Sequence, residues 1–154
     1  MSLETSDFLQ ADDINKVFKV VDAVAMGFTC DEDIENYLGL NSGSRQGRYY
    51  RLAAEKLGLI INLANNASLT PTGQLFISYS LNNRSLLAQN LIASLIASLP
   101  VFSKVISHFR TSGQINIEDL RAYFISIYPG EESTASRRFS TFMNYIRYLG
   151  LPVQ

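Results

Sequence analysis

The sequence has one cysteine and one histidine in 154 residues. A lone cysteine excludes an internal disulfide framework. Together with a single histidine it also excludes a zinc site built from several such residues. No stretch approaches the ~20 apolar residues that span a bilayer. The start, Met1-Ser2-Leu3-Glu4-Thr5-Ser6-Asp7, lacks a basic region followed by an apolar run, so no signal peptide is expected. Charge is nearly balanced, with 13 Lys and Arg against 14 Asp and Glu and a net charge of -1. That balance does not announce a nucleic-acid binder, so the placement of charge has to be examined. It is uneven: the acidic excess lies in residues 1–80 and a smaller basic excess in 81–154.

Catalytic motifs are missing too. There is no Walker loop and no dinucleotide fingerprint. No Asp-x-Lys or Glu-x-Lys triplet occurs, since Glu55 and Lys56 are adjacent, so a metal-dependent nuclease core of the common restriction type has no place here. His108 has no acidic residue at a spacing that makes a triad. Cys30 falls in a turn before a helix. Neither a catalytic nor a metal site is expected, and no cofactor.

What remains is globular: 47% hydrophobic and 11% aromatic residues exclude the profile of a disordered chain. The length allows one ordinary domain or two very small ones. Apolar residues at helical spacing predict a helix from Ile14 to Met26, with Asp12 or Asp13 as N-cap and Gly27 as terminator. Thr29-Cys30-Asp31-Glu32 reads as a capping box for a short helix over Asp31 to Leu38. Ser44 caps a third helix, Arg45 to Leu57, stopped by Gly58. Leu59 to Leu63 is a predicted strand, 64–67 a turn, and Ser68 to Thr70 a return strand. Pro71 suits the first position of a further helix capped by Thr70.

The second half repeats part of this order. Leu86 to Leu99 is apolar nearly all round, so it is expected to be a central post, with a dimer surface as the alternative. Pro100 breaks it. Helices over Val101 to Phe109, Ile117 to Tyr128 (capped by Asn116) and from Ser133 or Thr134 to Leu149 follow. The Leu149-Gly150-Leu151 exit aligns with Leu57-Gly58-Leu59, which matches Arg45 to Arg137, Gln46 to Arg138 and Tyr50 to Phe142. This is a weak internal duplication. The second copy stops at Pro152-Val153-Gln154, where a wing should begin.

The strongest functional signal is Ser44-Arg45-Gln46-Gly47-Arg48-Tyr49-Tyr50-Arg51. On a helical wheel Tyr50, Ala53, Ala54 and Leu57 face the core. Arg45, Arg48 and Arg51 take the opposite side, with Tyr49 at its flank. Arginines at a helix start suit major-groove entry, where Arg reads guanine and Gln46 pairs with adenine, while backbone N–H groups meet phosphate. Gly47 would allow close approach to a backbone. A solvated helix face explains the same residues. On the last helix Arg137, Arg138 and Arg147, with Tyr145, Tyr148 and short polar donors, read equally as phosphate contacts or as an exposed polar face. The acidic group Asp31, Glu32, Asp33 and Glu35 counts against DNA, and its simplest role is to stabilise its helix N-terminus.

The runs Asp31-Glu32-Asp33-Ile34-Glu35-Asn36-Tyr37-Leu38, Arg45-Gln46-Gly47-Arg48-Tyr49-Tyr50, Leu57-Gly58-Leu59 and Leu69-Thr70-Pro71-Thr72-Gly73 resemble a winged-helix domain. The resemblance is to the DNA-recognition regions of type II restriction endonucleases and related restriction-modification proteins, and it covers about the first half of the chain. It implies a mainly α fold of tandem winged helix-turn-helix lobes with a small β-hairpin wing near 59–70. The lobes would be residues 1–80 and 81–154. It implies sequence-specific binding of double-stranded DNA by a recognition module whose nuclease domain lies elsewhere. The expected DNA-binding residues are Arg45, Gln46, Arg48, Tyr49, Arg51, Arg137 and Arg138. The missing nuclease element and the cut-off wing suggest a fragment of a longer enzyme. No membrane and no small-molecule ligand are expected, and the chain would be cytoplasmic and monomeric or part of that longer protein. A protein-interaction module and a free-standing winged-helix transcriptional regulator are the alternatives, because fold does not decide among these.

Overall fold

Local capping chemistry sets several of the helix boundaries in the computed structural model, which describes residues 2–40 and 46–154. Among them are eight α-helices and one two-stranded antiparallel sheet, so the fold is mainly helical. The chain divides into two compact units. One comprises residues 13–95, the other residues 1–12 together with 96–154.

In the unit 13–95, α1 (Ile14–Ala25) starts where the Asp13 carboxylate accepts the Asn15 N–H at 2.9 Å. Its buried Val17, Val20, Val21 and Val24 recur at helical spacing and form the centre of the core. Against them lie α2 (Asp31–Leu38) through Ile34 and Leu38, and α3 (Gln46–Lys56) through Tyr50, Ala53 and Ala54. The predicted cap Ser44 lies outside the described residues. Gly58, at φ +77°, turns the chain from α3 into β1 (Ile60–Leu63), which pairs with β2 (Asn66–Leu69) in the register Ile60 to Leu69 and Leu63 to Asn66. Only Ala64 and Asn65 join the strands. Both have positive φ, the geometry of a type I′ turn, whose twist matches that of the flanking strands. The turn is thus tighter than the predicted four-residue one. Thr70 caps α4 (Pro71–Leu81) by accepting the Gly73 N–H at 3.0 Å, and Phe18 of α1 meets Phe76 of α4 with ring centroids 5.3 Å apart.

The division between units falls inside α5 (Ser85–Ser98), between Leu95 and Ile96. This helix was expected to be buried on several sides. Instead Ala88, Ile92 and Ile96 form a single buried stripe, and Leu86 is 68% exposed. Among the described residues no single helix is long and apolar enough to cross a membrane.

In the other unit, α6 (Pro100–His108), α7 (Ile117–Ile127) and α8 (Glu132–Leu149) enclose an aromatic core. Phe102 stacks on Phe142 at 4.8 Å, and Phe124 meets Phe139 and Phe142. Asn116 caps α7 through the N–H groups of Glu118 and Asp119, at 2.8 and 3.2 Å. α8 begins at Glu132, just before the predicted Ser133 or Thr134, and ends at Gly150 with φ +71°. Residues 2–12 belong with this unit. Phe8 packs edge-on against Phe124 and Tyr128, and the Tyr145 hydroxyl donates to the Ala11 carbonyl at 2.8 Å. The last residues form a parallel bridge to the segment before α7. The Ile115 N–H donates to Pro152, and the Gln154 N–H donates back to Ile115, both at 2.8 Å.

Candidate nucleic-acid interface

α3 presents an outward stripe set by its 3.6-residue period. Arg48, Leu52 and Lys56 are exposed, Tyr49 is half-buried beside them, and Gln46 is exposed at the start. Among the described residues, neither Arg48 nor Lys56 has an ion-pair partner. Arg45 lies outside the described residues. Leu52 and Lys56 escaped the sequence reading, which weighed charge only in the first turns, although they follow Arg48 at i+4 and i+8.

Arg51 does not share that exposed face. It is 8% exposed, and its Nε and Nη2 donate to the Asp31 carboxylate while Nη1 donates to Glu55 at 2.6 Å. Burial works against its charge. The hydrogen bonds and opposite charges of Asp31 and Glu55 outweigh that, so its pKa lies above the ordinary value. The side chain ties α3 to the start of α2. Gly47 is likewise a contact between these helices. It is buried, and a Cβ there would stand 2.0 Å from Glu35 Cγ. Its lack of a side chain admits Glu35 of α2 and does not serve approach to another backbone.

The start of α2 differs from the predicted capping box. Cys30 is the N-cap residue and makes no side-chain cap. Asn65 supplies the cap from the hairpin turn by accepting the Asp31 N–H at 2.9 Å. The Ala67 N–H donates to the Thr29 carbonyl at 2.9 Å, so the hairpin is fastened to the loop before α2 at two points. Of the four acidic residues of this region, Asp31 is engaged by Arg51, Glu35 is buried, and Glu32 and Asp33 are exposed. The hairpin carries no charge. Arg84 is the only charged residue between Lys56 and Lys104, and Ile61 and Leu63 of the hairpin are 51% and 73% exposed.

On α8, Arg137 is exposed, while Arg138 is half-buried and reaches Gln10 at 3.3 Å. The Thr141 hydroxyl donates to the Asp12 carboxylate, and Asn144 donates to the Asp12 carbonyl at 2.7 Å. The N-terminal segment therefore occupies part of the polar face expected to be free. Arg147 donates to Asn144 at 3.0 Å. His108 is exposed and stacks on Tyr123, with centroids 3.7 Å apart. Cys30 is a free thiol. No group of His, Cys, Asp or Glu among the described residues could hold a metal ion.

The family model described as a domain of unknown function, DUF7226, matches residues 16–151. No curated protein and no solved structure matches the chain. The chain belongs to the DUF7226 family.

Proposed function

We propose that this member of the DUF7226 family binds double-stranded DNA through a winged-helix unit, residues 13–95, with α3 as the recognition helix and the β1–β2 hairpin as the wing. In the same reading α8 belongs to a second winged-helix-like unit, in which exposed Arg137, which donates to Thr134 at 3.4 Å, is the cation that meets DNA. The observation that carries the proposal is the outward stripe of α3. It supplies two cations that have no ion-pair partner among the described residues, a carboxamide and an aliphatic side chain on a helix that leads directly into the hairpin. Arg48 suits guanine O6 and N7, Gln46 suits adenine, Leu52 suits a thymine methyl, and Lys56 suits phosphate. Arg51 has no part in DNA contact, because its donors are spent on Asp31 and Glu55. The role as recognition module of a type II restriction endonuclease rests on the sequence resemblance alone.

Selection from a randomised duplex pool at low salt tests the reading. Enrichment of one sequence, lost in the Arg48→Ala variant, supports it. Recovery of the unselected pool overturns the sequence-specific part. The uncharged hairpin favours a second reading, a protein-interaction module, because exposed Ile61 and Leu63 suit an apolar partner better than phosphate.

A further inference from the structure

The loop after α1 and one face of α2 enclose a shallow depression of about 290 Å³, lined by Phe28, Asp33, Asn36 and Tyr37. Local geometry fixes each member. Gly27, at φ +95°, turns the chain out of α1, and the Phe28 N–H returns to the Ala23 carbonyl at 2.9 Å, which anchors the ring. Asp33, Asn36 and Tyr37 stand at i, i+3 and i+4 and therefore share one face of α2. The Phe28 and Tyr37 rings lie 5.8 Å apart, tilted by 35°, and are 42% and 36% exposed. Among the described residues, the side chains of Asp33 and Asn36 have neither a hydrogen-bond nor an ion-pair partner.

Two aromatic faces, one carboxylate and one carboxamide oxygen select an organic cation that is flat and rich in N–H donors. We infer that this depression receives an arginine side chain presented by a partner protein. A guanidinium stacks on an aromatic ring, gives two parallel N–H bonds to the Asp33 carboxylate and offers a third to Asn36 Oδ1. A lysine ammonium is compact and strongly hydrated, and it can make neither the stack nor the fork. Exposed Glu32 beside Asp33 adds attraction for a cation and repels nucleic-acid phosphate. The site uses α2 and not the outward stripe of α3, so it stands independently of the DNA-binding proposal.

The test is an NMR titration of the isotope-labelled chain with the capped tripeptide Gly-Arg-Gly, and with the matched lysine and citrulline peptides. The arginine peptide should give saturable shifts at Phe28, Asp33, Asn36 and Tyr37. Lysine should bind about threefold or more weakly, and citrulline should not saturate. Asp33→Asn and Phe28→Leu should each weaken arginine binding about fivefold or more. Both variants keep the size or the apolar character of the side chain, and equal melting temperatures would show that the fold is intact. Arg48→Ala should leave this binding unchanged. The inference is overturned if the arginine peptide fails to saturate, if citrulline binds as well, or if Asp33→Asn has no effect. It is also overturned if a short oligonucleotide, and not the arginine peptide, shifts these amides.

Discussion

Asn65, at the hairpin turn, caps the first residue of α2 by accepting the Asp31 N–H, and the Asp31 carboxylate in turn holds Arg51 of α3. Asp31 thus joins the hairpin, α2 and α3. If the hairpin and α3 act on one ligand, as proposed, this junction restrains the separation between them.

Removing the cap should weaken the unit 13–95. Asn65→Ala loses the acceptor and also forces alanine into the left-handed region, at φ 58°. The expected cost is about 1–2 kcal/mol by urea denaturation. Asn65→Gly keeps the backbone conformation and loses only the cap, so it should cost less than Asn65→Ala. Equal stability of wild type and Asn65→Ala would mean that the junction restrains nothing.

The two arginines of α3 should separate cleanly. Arg51→Ala leaves Asp31 and Glu55 without their shared donor and should cost about 1.5–3 kcal/mol, the range for hydrogen bonds to charged groups. Arg48→Ala should leave the melting temperature within about half a kcal/mol equivalent, because its side chain is exposed. Thermal melts of both variants check this ordering.

Gly47 provides a sign test of helix packing. In an open helix Gly→Ala would stabilise by about 1 kcal/mol. Here the new Cβ meets Glu35 Cγ, close to the root of that side chain, so Gly47→Ala should destabilise by about 1–3 kcal/mol. Adding Glu35→Ala should recover much of the loss. A double-mutant cycle without coupling would contradict the contact.

Asp22 gives the pH dependence. Burial raises its pKa above the ordinary carboxylate value, against a smaller lowering by Lys19. Its contribution to stability is therefore fully present below the unfolded pKa and is lost as pH rises through the higher folded pKa. Asp22→Asn should raise the melting temperature at pH 7, and the difference from wild type should shrink towards pH 3. A lower melting temperature at pH 7 would contradict this.

The sequence disclosed features whose cause is local. Asp13, Thr70 and Asn116 cap the helices assigned to them, and Gly27, Gly58 and Gly150 take the left-handed conformations that end helices. The hairpin was legible because β-branched and apolar residues flank Asn65-Asn66. Arg51 was not, because its burial depends on Asp31, twenty residues earlier, and a helical wheel contains no neighbouring helix. Gly47 and Asn65 share that limit, since the helix or turn that each one serves comes from elsewhere in the chain. The free polar face read on α8 missed the segment Gln10–Asp12, whose docking follows from Phe8 and Ala11 entering a distant aromatic core.

The central claim is that α3 meets DNA through its outward stripe. Its most direct measurement is the salt dependence of duplex binding by fluorescence anisotropy, for wild type, Arg48→Ala and Lys56→Ala at matched thermal stability. The account predicts that wild-type affinity falls as salt rises. Lys56→Ala should weaken all duplexes alike and flatten the slope of log affinity against log salt by about 0.9, as expected for one lost phosphate contact. Arg48→Ala should cost about 1–3 kcal/mol on the preferred sequence and far less on others. Wild-type binding that is absent or insensitive to salt, or variants that bind as wild type does, would contradict it.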